Sequence, residues 1–308
     1  MDGNARSKIL FDPLADPSYV CRVPVPPAVP AAESDTLLLN RVPLSQWYFI
    51  YLGRRLIGMI NALRAVGAFG LIVLGVIFTQ FGVARRVIRP LIIQQVARSG
   101  LLLLPMATFF SLALGLVVIG QSVSLLSRVG ATRFLGIIMV IVVVRELGPL
   151  ITALIVLCRT GTAHVVELGT ARALGEVEAL EVMGIDPIHY LVVPRAIGMA
   201  VGIVSLTVYL ILGALVSGYW WAFVQDVPLT PLDYLRQATE ALSGLDFLLL
   251  ALKPAGFGFI IAVVTSYHGL ARPLSVADVS VSTVRAVSQS IVLCGLLDAL
   301  FLILYLVI

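Results

Sequence analysis

Two neighbouring charged side chains, Arg145 and Glu146, interrupt an apolar run that would otherwise cross a bilayer without a break. A charge at the bilayer centre costs roughly 2.5–3.5 kcal/mol on insertion scales, so such residues face a partner or a wet cavity. An arginine fork matches the oxygens of a phosphate group. We therefore interpret the pair as lining a substrate cavity, with a structural ion pair as the alternative. Pro149 follows directly after and predicts a kink in this cavity wall.

Two further charged residues, Lys253 and Asp298, lie inside apolar runs nearer the C-terminus. We interpret them as a mutual salt bridge that joins two helices, because no relay of neighbouring titratable groups is present to carry protons. The three histidines and three cysteines show none of the spacings of a metal site. No nucleophile and base stand in a recognisable arrangement. The sequence therefore predicts no metal, no cofactor and no catalytic residue in this chain.

An acidic stretch between the two central apolar runs, residues 167–187, has the pattern of a short amphipathic helix. Its apolar residues at helical spacing are Leu174, Val177, Leu180 and Met183. Its acidic residues are Glu176, Glu178 and Glu181. Gly184 is the predicted C-cap, and Asp186 with Pro187 marks the turn after it. We expect a helix within residues 170–184 that presses on a partner protein.

The composition places this chain in a membrane. Hydrophobic residues make up 59% of it and charged residues 12%, about half of the roughly 25% typical of a soluble domain. Its net charge of +4 fits basic loops at a membrane surface, so nucleic acid is not an expected partner. Apolar runs of 18 or more residues are candidate membrane spans. Five are predicted, at residues 99–127, 134–158, 196–225, 247–267 and 286–308.

A sixth apolar run, residues 65–84, is also long enough to span, but arginines flank it on both sides. The positive-inside bias keeps both arginine clusters in the cytoplasm only if this run lies in the membrane interface. The N-terminus is then cytoplasmic, and the loop 226–246, with one arginine against four acidic residues, falls outside. Residues 1–45 contain many prolines and no signal peptide, and are predicted to form a flexible cytoplasmic tail before a membrane domain over residues 46–308.

The segment RELGPLITALIVLCRTGTAHVVELGTARALGEVEALEVMGIDPIHYLVVPRAIG, residues 145–198, resembles the signature region of the MlaE/YrbE permeases. These permeases are the membrane subunits of Mla- and Mce-type lipid-transport ABC systems. The stretch VSVSTVRAVSQSIVLCGLLDALF, residues 279–301, is similar to the last helix of that family. Two details depart from the family pattern: CRTG at 158–161 stands where Gly-Arg-x-Gly is usual, and DVSVSTV at 278–284 replaces a run of smaller residues.

This resemblance implies an all-α integral membrane protein with five transmembrane helices, an N-terminal interfacial helix and a cytoplasmic coupling helix. It implies a homodimer in the inner membrane, with ABC ATPase subunits that bind ATP beneath it. An MCE-domain protein on the periplasmic side would exchange lipid with it, and a STAS-domain protein is a further candidate partner. Carried over by position, the candidate contacts to the ATPase are Glu176, Glu178, Glu181, Gly184 and Asp186.

No G-x-x-x-x-G-K-[ST] phosphate loop occurs in the sequence, so a separate ATPase is expected to supply the energy. We therefore interpret the chain as a non-catalytic permease subunit for phospholipid or a related lipid. Two alternatives stay open, an intramembrane enzyme that modifies lipids and a membrane scaffold that transports nothing. Lipid conversion by the isolated chain would favour the enzyme, and ATPase mutants without a lipid phenotype would favour the scaffold.

Overall fold

A computed structural model of the chain describes residues 44–80, 85–130, 134–225, 231–242, 244–270 and 277–307. These residues are almost entirely helical and contain no strand, which confirms the predicted all-α fold class. The α-helices are α1 Leu44–Gln80, α2 Arg85–Ser99, α3 Leu104–Val129, α4 Leu135–Met139, α5 Gly148–Val156, α6 Thr162–Ala173, α7 Glu176–Val182, α8 Val193–Val224, α9 Pro231–Ala241, α10 Gly244–Leu270 and α11 Asp278–Val307. Three π-helical segments occupy Val140–Leu147, Leu157–Gly161 and Ile188–Val192, and Leu101–Leu103 is a 3-10 helix.

The chain divides into two compact units, Met1–Ile60 and Asn61–Ile308. In the first unit the structure describes the N-terminal part of α1. Apart from its last two residues, the predicted tail at residues 1–45 therefore lies outside the described residues. The second unit contains the rest of α1 and every helix from α2 onward. All the side-chain contacts described below belong to this second unit.

Six helical segments are long and apolar enough to cross a membrane, which confirms a multi-pass membrane protein. They are Ile60–Thr79, Ile88–Leu126, Gly136–Ala173, Ile188–Val224, Gly244–Leu270 and Asp278–Tyr305. The last five correspond to the five predicted spans. The first corresponds to the run 65–84, whose interfacial position stays a prediction and whose residues 81–84 lie outside the described residues.

The long helix α8 is the centre of the bundle and packs against α2, α3, α5 and α10. Glycines make these approaches close: a Cβ added at Gly258 of α10 would lie 2.6 Å from Ala200 Cα, and one at Gly115 of α3 would overlap the carbonyl of Ala214. Lipid tails are as apolar as the side chains, so helix association in a membrane depends on such tight van der Waals packing. The packing around α8 therefore fixes the positions of the helices that carry the charged residues.

One part of the chain passes through the bundle as an interrupted helix. Helices α4, α5 and α6 follow one another through the π-helical segments Val140–Leu147 and Leu157–Gly161 without an intervening loop. Such π segments change the direction of the side chains that follow, and they are frequent at functional sites. Pro149 lies at the start of α5. Because proline has no N–H, the α-helical hydrogen bond from residue 149 to the carbonyl of Arg145 cannot form.

The helix predicted within residues 170–184 is broken in two. Helix α6 ends at Ala173, and Gly175 adopts the left-handed conformation with φ +77°, which costs a residue without a Cβ nothing. Helix α7 then covers Glu176–Val182. Gly184, at φ +75°, ends α7 as predicted, because its N–H donates to the Glu181 carbonyl over 3.0 Å in a left-handed cap.

The close contact between α10 and α8 gives a prediction about stability. Changing Gly258 to alanine would place a methyl group 2.6 Å from Ala200 Cα and 2.8 Å from the Met199 carbonyl oxygen. These are backbone atoms, so the helices must separate, and we expect a loss of about 1–3 kcal/mol in the free energy of unfolding. Gly295→Ala is the matched control, because nothing lies within 4 Å of its added Cβ. Thermal unfolding in detergent measures both variants, and equal melting temperatures would contradict the packing described here.

Candidate functional site

A buried lysine on α10 is surrounded by three oxygen atoms from two other parts of the bundle. The side chain of Lys253, on α10, is only 2% exposed. Its Nζ lies 3.0 Å from Glu146 Oε2, 2.7 Å from Asp298 Oδ1 and 2.9 Å from the carbonyl oxygen of Arg145. The contact to Asp298 is short but departs from the direction of a hydrogen bond, so it is an ion pair by distance. The structure thus brings together the predicted pair Lys253 and Asp298, and adds Glu146 to it.

The backbone carbonyl in this network lies four residues before a proline. In a regular α-helix the carbonyl of Arg145 would accept a hydrogen bond from the amide of residue 149, and Pro149 has no amide hydrogen. The ammonium of Lys253 donates to that carbonyl instead. An ammonium has three N–H donors pointing in different directions; here it donates to Glu146 and to the Arg145 carbonyl, and its charge is paired with Asp298 as well.

Arg145 belongs to a second ion pair of the same network. Its Nη2 lies 2.9 Å from Asp246 Oδ2, and its guanidinium lies 5.2 Å from the centre of the Tyr305 ring, close enough for a cation–π contact. Asp246 is 3% exposed and lies inside α10. The sequence placed Asp246 at the end of the outer loop 226–246, and this boundary is wrong. A carboxylate at the edge of an apolar run resembles a loop residue unless its partner is known.

The cleft beside Arg145 is narrow in the single subunit. Arg145, Pro149, Asp246, Lys253 and Tyr305 surround a cleft that has no room for a water molecule. Three carboxylates and two cations share the network, so each of the two basic side chains is engaged by at least one acid. Breaking such a buried pair by removing one partner typically costs about 3–5 kcal/mol. That Arg145, Glu146 and Pro149 line a substrate cavity stays a prediction.

The acidic stretch forms a protruding segment, residues 174–186, that we name the docking segment. Val177 is fully buried and anchors it, whereas Leu174, Val182 and Met183 are exposed. Of the four apolar residues predicted for this helix, Val177 is thus buried, Leu180 is half-buried, and Leu174 and Met183 are exposed. Two exposed carboxylates, those of Glu176 and Glu181, lie beside these apolar side chains. An apolar surface of this kind, bordered by charge, is typical of a helix that binds in a groove of another protein.

Two contacts shape the docking segment from within. Glu178 Oε1 lies 3.1 Å from Arg172 Nε on α6, which ties α7 to the helix before it. Asp186 Oδ1 accepts a hydrogen bond of 2.9 Å from the backbone N–H of Ile188. This bond caps the next helical segment at its start, as aspartate commonly does. Glu178 and Asp186 are thus engaged inside the chain, in addition to any contact that they make with a partner.

The histidines lie far from the network and do not come together. His164 lies 2.7 Å from Gln95 Nε2, and His268 Nε2 lies 2.7 Å from Gln289 Oε1. The ring nitrogens of His189 have no hydrogen-bond partner among the described residues. Across the same described ranges, no group of three or more metal-binding side chains occurs.

Comparison with known proteins gives the same family for most of the chain. The profile of the MlaE permease family matches residues 92–304. A probable ABC transporter permease of Rickettsia felis is 31% identical over 240 residues, which cover 75% of this chain and 88% of the relative. A second, from Rickettsia prowazekii, is 32% identical over 208 residues, or 66% of this chain and 78% of the relative. The chloroplastic protein TRIGALACTOSYLDIACYLGLYCEROL 1 of Arabidopsis thaliana is 30% identical over 202 residues, or 65% and 57%.

Replacing Lys253 with methionine tests the network. The change would leave Glu146 and Asp298 without their shared cation, and we expect a loss of about 3–5 kcal/mol in the free energy of unfolding. Thermal unfolding in detergent and the yield of membrane-inserted protein measure this loss. Neutralising the two acids as well, by Glu146→Gln and Asp298→Asn, should recover most of the stability.

The exposed ion pair on α9 supplies the control for this experiment. Arg236 and Glu240 lie 2.8 Å apart, with side chains 76% and 64% exposed. Water screens such a pair, so Arg236→Gln should cost less than about 1 kcal/mol. If Lys253→Met melts like Arg236→Gln, the buried network does not hold the helices together.

Proposed function

The chain belongs to the MlaE permease family, and from that premise we propose that it moves lipid as the membrane subunit of an ABC transporter. The cargo would pass between the inner membrane and a periplasmic MCE-domain protein. The observation that carries this proposal is the family match over residues 92–304, which includes both the charged network and the docking segment. The Rickettsia relatives are named as probable ABC transporter permeases, which supports the same role.

Lipid as the cargo has two further supports. The Arabidopsis relative carries the name of a glycolipid, trigalactosyldiacylglycerol. In this chain, Arg145 and Glu146 place polar groups at the side of an otherwise apolar bundle, where a head group attached to acyl chains would need them. The side chain of Arg145 is 28% exposed and that of Glu146 is 29% exposed, so both reach the surface of the subunit. A second subunit placed against that surface would turn it into one wall of a shared cavity.

The energy for transport would come from a partner ATPase that binds ATP and receives the docking segment in a groove. The exposed side chains of Val182 and Met183 would enter the groove, with Glu176, Glu178 and Glu181 beside them. Burial of exposed apolar side chains is the main source of affinity in a helix-in-groove contact. Gly184 and Asp186 would fix the shape of the segment rather than supply the affinity, because both act on the backbone.

Movement of the docking segment would reach the network along one continuous path. Helix α7 joins α6 through Gly175, and α6 joins α5 through the π segment Leu157–Gly161. Helix α5 in turn follows the π segment that holds Arg145 and Glu146. Packed helices can carry a displacement along their length, and π segments within helices are frequent at functional sites. ATP binding in the partner would thus shift Glu146 against Lys253 and open the narrow cleft.

The proposed assembly is a homodimer of this chain in the inner membrane, with its N-terminus in the cytoplasm. Two ATPase subunits would bind on the cytoplasmic side, at the docking segments, and a STAS-domain protein is a further candidate on that side. The MCE-domain protein would bind at the opposite face. The orientation is supported by the arginine-rich segments around residues 54–98, which the positive-inside bias keeps in the cytoplasm.

Two acidic substitutions in the docking segment test the contact with the ATPase. Val182 is 89% exposed and Met183 is 64% exposed, so Val182→Asp with Met183→Asp should leave the fold intact while it places charge in the groove. A buried hot spot contributes about 2 kcal/mol or more, so the amount of ATPase that copurifies with the tagged chain should fall at least tenfold. Leu232→Asp, at a residue of α9 that is 75% exposed, is the matched control. Undiminished ATPase on the double variant would show that the segment does not dock.

A reconstituted complex tests the cargo. The chain, an ABC ATPase and an MCE-domain protein from the same organism would be placed in liposomes that contain a fluorescent phospholipid. We expect ATP-dependent transfer of that lipid between the bilayer and the MCE-domain protein. Glu146→Gln removes one carboxylate but keeps the contact between Lys253 and Asp298, so it should preserve ATPase binding and lower transfer about tenfold. Lipid that stays in place while a soluble compound stimulates ATP hydrolysis would refute lipid transport.

A further inference from the structure

A second polar cluster lies where α2, α6 and the start of α8 meet, away from the network around Lys253. One carboxylate there serves two guanidiniums. Arg98 Nη1 lies 2.7 Å from Glu167 Oε1, and Arg195 Nη2 lies 3.3 Å from Glu167 Oε2. With two cations against one anion, this cluster carries a surplus positive charge.

The neighbouring histidine does not change this balance. The amide nitrogen Nε2 of Gln95 lies 2.7 Å from His164 Nε2 in a buried contact. An amide nitrogen can only donate, so that ring nitrogen accepts and the imidazole is neutral. The excess charge therefore remains on Arg98 and Arg195, which cannot lose their protons in a protein.

A cavity of about 240 Å³ opens beside these arginines. Its polar lining consists of Arg98, Arg195, Gln94, Gln95 and Tyr190. Its apolar wall consists of Leu91, Leu191 and Pro194. The cavity has room for a group several times larger than a water molecule. Its polar side presents guanidinium and amide donors together, and its acid, Glu167, is already shared between the two arginines.

One donor group of Arg195 has no partner among the described residues. The Arg195 side chain is 17% exposed and lines the cavity, and its buried Nη1 has no hydrogen-bond partner within the described part of the chain. Buried polar atoms are almost always paired, and an exception calls for a ligand, an ion or water. A guanidinium that bonds a carboxylate through one nitrogen and also lines a cavity keeps further N–H donors for a second anion.

We propose that this cavity binds a phosphate group, with Arg98 and Arg195 as the principal donors. Phosphate presents several acceptor oxygens to the fork of a guanidinium, and it satisfies the surplus charge. The apolar wall of Leu91, Leu191 and Pro194 suits the start of the acyl chains of a lipid, so the head group of an anionic phospholipid is the favoured source. Inorganic phosphate offers the same chemistry without the lipid. This site goes beyond the proposed transport function, because it lies apart from the charged network and needs no ATP.

Native mass spectrometry of the full-length chain in detergent tests the proposal without ATP or partners, so its outcome does not depend on transport. The chain would be titrated with phosphatidylglycerol, and with a diacylglycerol that has the same acyl chains and no phosphate. We expect preferential retention of phosphatidylglycerol. Arg195→Gln should weaken it at least tenfold, because it removes a charged hydrogen-bond donor.

Two further variants keep the test independent of misfolding. Leu91→Trp fills the cavity and leaves both arginines in place, and it should also weaken binding of phosphatidylglycerol. Arg236→Gln removes an arginine that is 76% exposed on α9, and it should bind like the parent chain. If diacylglycerol binds as tightly as phosphatidylglycerol, or if either cavity variant keeps the affinity of the parent, the proposal is overturned.

Competition with inorganic phosphate identifies the source of the group. If millimolar phosphate leaves phosphatidylglycerol bound, the lipid head group is the ligand, as favoured here. If phosphate displaces the lipid from the parent chain, and binds to it but not to Arg195→Gln, the cavity is a phosphate site whose natural ligand is the free ion.

Discussion

The ammonium of Lys253 is the interaction on which the arrangement of this bundle depends. A buried cation needs partners, and here Lys253 donates to a side chain and a carbonyl of the segment Val140–Leu147 and forms an ion pair with a side chain of α11. The carbonyl belongs to Arg145, four residues before Pro149, which has no amide hydrogen to donate to it. Helices α10 and α11 and the segment Val140–Leu147 are thereby fixed relative to one another.

The positions of the helices follow from the sequence, because uninterrupted apolar runs and membrane thickness leave few alternatives. The partners of the charged residues do not follow. Lys253 and Asp298 are close as expected, since both lie deep in apolar runs where an unpaired charge is costly. The pairing of Asp246 was not predicted because Asp246 stands at the very start of such a run. At that position the sequence of a residue in the loop and of a residue in the helix looks the same. Its pairing with Arg145 becomes visible only when α10 is placed in the bundle.

The docking segment shows a different reason why a prediction from sequence was wrong: the break in the helix at Gly175 was not predicted. Gly175 falls between apolar residues whose spacing continues across it, so the helical repeat hides the break. A glycine inside a helix and a glycine that ends one have the same appearance when the pattern on both sides is helical. Gly184 was predictable as a helix end, because an aspartate and a proline follow it within three residues. The flanking residues were therefore sufficient to predict a helix end at Gly184, whereas no such residues mark Gly175.

The rarity of lysine in this chain has a chemical consequence. Of the 21 basic residues, only Lys8 and Lys253 are lysines, and Lys253 is almost wholly enclosed. An acylating reagent reaches an amine only when solvent does and when the amine is unprotonated. Covalent labelling at residue 253 would therefore require that the surrounding oxygen atoms release the ammonium and that it then loses a proton. The extent of labelling would thus report opening of the network without an engineered probe.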